Sequence, residues 1–482
     1  MLIFLLLLVL QTGSCVIYRL NDSTYYKMPP VFHLDDYAPC LSDPEGVYCM
    51  ARIVLVSDTP SELLNIIHNY SEHRIKHYNH RNKFLMIFSI KRNWEKLLAP
   101  VDDTSPRLKS LKGFNGARTI VTALVITVHS FLPFINDASN TRDVEAIYDN
   151  VWYHTFISGT PIVQAFFLLS GFLLAYNIQI KKEKRAVTWQ MIPMGIWLRW
   201  LRLTPCYALV LAITSTWLRF AGSGPLWHEG VLSEVKDCRR DGWQNLLYIN
   251  NYFDNTQCMA QCWYLAAEMQ LYCLGLFICV LSKTNTARKV VLSLLFIVGV
   301  VIPGAVTYIM DLDGVLIVSP ETSLNYFVSD STFNNIYKRG HTNMASYIIG
   351  LSMGFIAYHL IDTNFEVGKY KKYLWTYQLL FPSGLLITWM GSIFYRDAPR
   401  DPAYVRALSA ALIKPIFSII LGLYLLGLIF KCDKINRRLL EWNFWTITSR
   451  LTYSAFLLHI LVMRTYIGTK DTMMTTLFMH MV

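Results

Sequence analysis

Apolar residues along this chain are gathered into long blocks separated by short polar connections. Nine blocks reach about the 20 residues that a helix rising 1.5 Å per residue needs to cross a bilayer. Their bounds are 118–134, 156–180, 193–218, 262–282, 290–310, 343–360, 373–395, 407–430 and 446–467. The second and seventh contain no charged residue, whereas the first, third, fourth, eighth and ninth each carry an ionisable group. The pattern predicts an all-α polytopic membrane protein with about nine transmembrane helices. Ahead of them, "MLIFLLLLVLQTGSC" holds a nine-residue apolar run too short to span. It reads as a signal or anchor segment over 1–13, although it lacks a basic leading region.

The connections orient the helices. Segments 181–192, 283–289, 361–372 and 431–450 hold 15 Lys and Arg in 51 residues, against 10 in 107 for the alternate set 135–155, 219–261, 311–342 and 396–406. By the positive-inside rule the dense set is cytosolic, so the first helix starts in the cytosol with Arg118 inside and His129 further outward. Composition agrees: 53% of the 482 residues are hydrophobic and 16% charged, below the roughly 25% charged of soluble domains. The net charge of +11 is then a property of orienting loops, and no nucleic-acid partner is expected.

The N-terminal part divides into a short cysteine-containing segment at 14–60 and a basic linker at 61–112. A cleaved signal would put 14–60 outside, while the basic linker belongs inside, and no span lies between them: "FLMIFSI" is only seven residues. Asn21 in "NDS" is a glycosylation acceptor if the segment is lumenal, and Cys40 with Cys49 is then a plausible bridge. In the outer connection at 219–261, a Cys238–Cys258 bridge is expected, with Cys262 as competitor.

The ionisable groups inside spans carry the chemistry. Arg118, Arg199 and Arg202 fall at one depth near the cytosolic side, and Arg199 and Arg202, three apart, share a helix face. Arginine presents a planar fork of donors suited to phosphate; a lone interfacial arginine also snorkels to headgroups. His129 lies about 16 Å beyond Arg118 along the helix, near mid-membrane, where an ionisable group faces a cavity or a partner. It serves either as a general base or in an interhelical hydrogen bond. Glu268, His459 and Lys414 are the other intramembrane groups, with Lys414 a candidate counter-ion for Glu268. Ser170 and Gly171, in "FFLLSGFLLAY", let a helix or an acyl chain approach closely. No nucleotide loop, metal-ligand spacing or hydrolase signature is present, so no metal is expected.

Taken in order, "NGARTIVTALVITVHS", "FFLLSGFLLAY", "LRWLRLTP", "GSGPLW", "WQNLLYINNY", "CWYLAAEMQLY" and "LTYSAFLLHI" resemble the acyltransferase-three family over 113–467. Their wording is similar to its animal branch, the nose-resistant-to-fluoxetine proteins. The resemblance implies a fold of ten or more spans and a membrane acyltransferase. The acyl group would come from a cytosolic acyl-CoA co-substrate and pass to a hydroxyl acceptor in or across the membrane. It assigns Arg118 and His129 to catalysis and Arg118, Arg199 and Arg202 to the donor. Glu268 would orient the acceptor or His129, while Ser170, Lys414 and His459 would line a cavity. Against the family pattern the N-terminal domain is shortened, the helix linking it to the first span is missing, and 468–482 reads as a truncated tail. The competing class is a lipid or small-molecule carrier using the same cavity without catalysis. Three phosphate-type forks on one side favour the enzyme.

Overall fold

The computed structural model describes residues 90–99, 110–136, 138–140, 142–143, 148, 160–319, 322, 327–366, 374–395 and 399–472. The expected segments 1–13 and 14–60, with Asn21, Cys40 and Cys49, lie outside these residues, as do most of the linker 61–112 and the last part of the tail. The chain forms two compact units, Met1–Ala99 and Pro100–Val482. In the first, the described structure is helix α1 (Ile90–Leu98), which exposes Trp94.

The second unit is a bundle of α2 (Gly113–Asn136), α3 (Gln164–Lys184), α4 (Met191–Thr216), α5 (Ser233–Leu246), α6 (Trp263–Leu281), α7 (Asn285–Ile309), α8 (Met344–Asp362), α9 (Leu374–Gln378), α10 (Leu380–Met390), α11 (Ala403–Ile429), α12 (Ile435–Leu440) and α13 (Phe444–Gly468). Among the described residues seven helices are long and apolar enough to cross a membrane, at α3, α4, α6, α7, α8, α11 and α13. Their outward faces are apolar too: on α7, Val290, Leu294, Ile297 and Val301 are all exposed, at the 4-3-4 spacing of one helix face. In water such a stripe would be untenable; it belongs against lipid. The unit is a multi-pass membrane domain.

Two of the nine expected spans take other forms. α2 has 24 residues, about 36 Å of helix, so it has the length of a span while carrying Arg118 and His129. The stretch 373–395, expected as one continuous span, is broken into α9, α10 and a 3-10 turn at Gly391–Tyr395. Pro382 explains the restart: it falls in the first turn of α10, where a missing N–H leaves no intrahelical bond unmade. The first and last helices run parallel in register, since Thr119 meets Thr448 and His129 meets His459.

α3 sits at the centre, packed on α8, α6, α11 and α2, with Phe167, Leu168, Phe172 and Tyr176 fully buried. α3 and α8 approach closely because Gly171 faces the carbonyl of Tyr347 and Gly350 and Gly354 face those of Leu168 and Phe172. A Cβ at any of the three would collide with backbone. This is the small-residue packing by which helices associate in lipid, where no hydrophobic effect drives them together. Gly171 is therefore spent on a helix contact and leaves no room there for an acyl chain.

On the side expected to face outward, α5, the turn that follows it and the described residues of 311–343 form a cap, joined where Lys338 and Arg339 pair with Asp254. Cys238 and Cys258 are bonded across it, and Cys262 is a buried free thiol. The last helix is tied to this cap by Arg464, whose guanidinium lies 3.4 Å from Glu234 and 3.1 Å from the carbonyl of Gly230. Burial pushes the Glu234 carboxyl up, against the pull of Arg464 and the amide of Met259.

Candidate active site

α2 is built from a β-branched run that would be a poor helix in water. In lipid every backbone group must bond internally, and the helix wins. Its threonines satisfy themselves: Thr119, Thr122 and Thr127 donate to the carbonyls of Asn115, Arg118 and Ala123 at 2.9, 2.8 and 2.9 Å. That leaves Arg118 and His129 as the groups on α2 that need partners from elsewhere, and they find different ones.

Arg118 lies within electrostatic reach of Arg199, Arg202, Glu268 and Tyr264. The three arginines therefore do converge. They are not equivalent, however. Arg199 Nη2 donates to Glu268 Oε1, which also accepts from Ser170 Oγ, and the guanidinium stacks 4.1 Å above the Tyr272 ring. Arg118 and Arg202 have no ion pair with an acid among the described residues, and Arg202 is exposed. Arg199 is thus neutralised by the buried Glu268 (5% exposed), while Arg118 and Arg202, close to each other, add an excess of two positive charges. Such a cluster attracts a multiply charged anion.

Two expectations for Glu268 are corrected here. Its counter-ion is Arg199, and Lys414 is elsewhere: the Lys414 ammonium donates to the carbonyl of Ile336 at 3.1 Å and to Asn343 Oδ1 at 2.9 Å. Nor does Glu268 orient His129. A carboxylate buried in a membrane takes the nearest cation, and α4 carries Arg199 against α6 while Lys414 points to the turn before α8. Ser170 is not among the residues lining the cavity beside His129, and its hydroxyl donates to Glu268.

His129 is held by the last helix. Its Nδ1 is 2.8 Å from His459 Nε2, with the two rings edge to edge, nearly parallel and 5.1 Å apart between centroids, and His459 Nδ1 is 2.7 Å from the carbonyl of Phe456. This chain fixes both neutral tautomers. A carbonyl only accepts, so His459 Nδ1 carries the proton and its Nε2 is a lone pair. That lone pair accepts from His129 Nδ1–H, which leaves His129 Nε2 unprotonated and free to take a proton. His459, expected as a cavity residue, is the hydrogen-bond partner of His129. α13 is steadied around it by Tyr453, whose hydroxyl donates to the carbonyl of Leu203 at 2.8 Å, and by Gln261, which donates to that of Leu457 at 3.1 Å.

His129 also borders a cavity of about 110 Å³. Its walls are chiefly aromatic and aliphatic, including Phe166, Tyr264, Leu316, Phe333 and Phe456. Tyr264 was not singled out by the sequence reading, yet it lies between the arginine cluster and this cavity. A signal was available: Tyr264, Glu268 and Tyr272 recur every four residues and so share one face of α6. Among the described residues no group of three His, Cys, Asp or Glu could hold a metal ion.

The match to known sequences follows the same residues. A family described as an acyltransferase domain matches residues 111–473. The chain belongs to the acyltransferase-three family. Helices α2 to α13, with both polar clusters, lie inside that match. The chain is also 25% identical over 413 residues to Nose resistant to fluoxetine protein 6 of Caenorhabditis elegans, a match covering 80% of this chain and 48% of that protein. It thus spans about half the length of this curated relative. No solved structure matches it.

Proposed function

We propose that this membrane protein transfers an acyl group from a cytosolic acyl-CoA donor to a hydroxyl acceptor that reaches the site from the outer side. The observation that carries the reading is the hydrogen-bond chain from the carbonyl of Phe456 through His459 to His129, which leaves His129 Nε2 as a base. The arginine cluster supports the donor end. Arg118 and Arg202 hold the donor phosphates, and Arg199, neutralised by Glu268, shapes the floor of that site. The thioester extends from there along α2 toward His129.

His129 Nε2 removes the proton from the acceptor hydroxyl as the oxygen attacks the thioester carbonyl. The C–O bond forms, the C–S bond breaks, and the CoA thiolate takes the proton from the imidazolium and leaves toward the cytosol. His459 stabilises the imidazolium by continuing to accept from Nδ1–H. The carrier reading rests on the apolar cavity alone and gives the unpaired arginines nothing to do.

The test is binding and turnover of a long-chain acyl-CoA by the full chain in detergent or nanodiscs. Saturable binding that Arg118→Ala/Arg202→Ala weakens, with ester formation that His129→Ala abolishes, is the expected result. Well-folded protein that binds no acyl-CoA sinks the proposal and leaves a carrier.

A further inference from the structure

We propose that the cavity beside His129 is the acceptor site, and that the acceptor is a small apolar alcohol and not a carbohydrate. The inference rests on the reading of His129 as base, but it concerns the lining and not the chemistry. The roof is formed by Leu316, Val318, Phe327 and Phe333 from the cap, and the sides by Phe166 and Phe456. No Asp, Glu, Lys or Arg lines it. The donor cluster lies about 16 Å away along α2, so the cavity is at the end of the site opposite the phosphates.

Few polar side chains belong to the lining: besides His129 and Gln261 there are the phenols of Tyr264 and Tyr337 and the indole of Trp263. His129 Nε2 is the acceptor that the hydrogen-bond chain leaves unprotonated, and the amide nitrogen of Gln261 is spent on the carbonyl of Leu457. Most of the wall is hydrocarbon, and none of it is charged, which suits a molecule with one hydroxyl on an apolar body. A sugar would bury several, and each hydroxyl left unpaired lowers affinity by roughly tenfold or more. The volume of about 110 Å³ is of the order of an apolar cavity that takes benzene, about 150 Å³. It therefore accommodates a ring or short branched chain near the hydroxyl.

The test uses a six-carbon alcohol bearing a diazirine, irradiated with the full chain in phosphatidylcholine nanodiscs and no acyl donor, followed by peptide mapping. Label is expected on the peptides carrying Tyr264 and Phe456. Benzyl alcohol should reduce it at least tenfold at concentrations where methyl glucoside does nothing. Val128→Phe, which fills the cavity, should remove the label at least tenfold, while Val128→Ala, which enlarges it, retains it. The proposal falls if the label is indifferent to Val128→Phe, if methyl glucoside competes as well as benzyl alcohol, or if a photoreactive acyl-CoA labels the cavity while the alcohol does not. A labelled cavity in protein that transfers no acyl group would instead sink the catalytic reading and leave the alcohol site standing.

Discussion

The two polar clusters that α2 carries solve the same problem in opposite ways. Near its start, Arg118 joins two other guanidiniums around one carboxylate, and the charge is left uncompensated. Eleven residues on, His129 meets a second imidazole and a carbonyl, and the group stays neutral with its proton placed. An uncompensated cluster at a membrane interface is ready for an anion; a neutral chain deep in the bundle is ready to accept a proton. The difference teaches that one helix can carry two sites of opposite electrostatic character because each is completed by a different neighbour, α4 and α6 for the first and α13 for the second.

Substitutions can break this contrast. The largest effect is expected from His129→Ala: kcat should fall by about 10²–10⁴ with donor affinity unchanged, read by single-turnover kinetics beside acyl-CoA binding. Arg118→Ala/Arg202→Ala should do the reverse. Donor Kd should rise by about 10²–10³, since each charge-assisted contact contributes about 1.5–3 kcal/mol and Arg202 is exposed, and the affinity lost should shrink at high salt. Equal falls in both quantities for either variant would erase the distinction between the clusters.

Glu268→Ala separates structure from binding. It strands the Arg199 guanidinium in the bundle, so stability should drop by about 3–5 kcal/mol, seen as a lower melting temperature in nanodiscs. Exchanging both partners for Arg199→Met/Glu268→Leu should recover much of that loss. If Glu268→Ala melts like the wild type, the pair is not the buried contact described here. The smallest expected effect is that of His459→Phe, which keeps a ring beside His129 but removes the acceptor for Nδ1–H. We expect kcat to fall about tenfold with donor Kd constant, and His459→Asn to restore part of it. A fall in donor affinity would place His459 in the wrong cluster.

Much of the site was legible along single helices. The separation of Arg118 from His129, the shared face of Arg199 and Arg202, and the cysteine pair Cys238–Cys258 all follow from local spacing or from segments enclosed by one connection. Pairings across the bundle were not. Depth along the helices favours Lys414, which like Glu268 lies early in a helix entering from the outer side, whereas Arg199 lies early in one entering from the cytosolic side; the pairing with Arg199 is set by packing. His459 lies 330 residues from His129, and only the parallel packing of α2 on α13 brings them together. The break at Pro382 hid inside a stretch whose hydropathy is uniform.

By itself the sequence determined that the chain is a bundle of membrane helices and how far along its own helix each ionisable group sits. Those quantities depend on composition and on a fixed rise per residue, both local. Only the tertiary structure decided which charge is neutralised, which histidine holds which proton, and where an apolar cavity remains. Each depends on how a helix is rotated about its own axis, and in lipid that rotation is set by close packing of small residues and by polar partners on other helices.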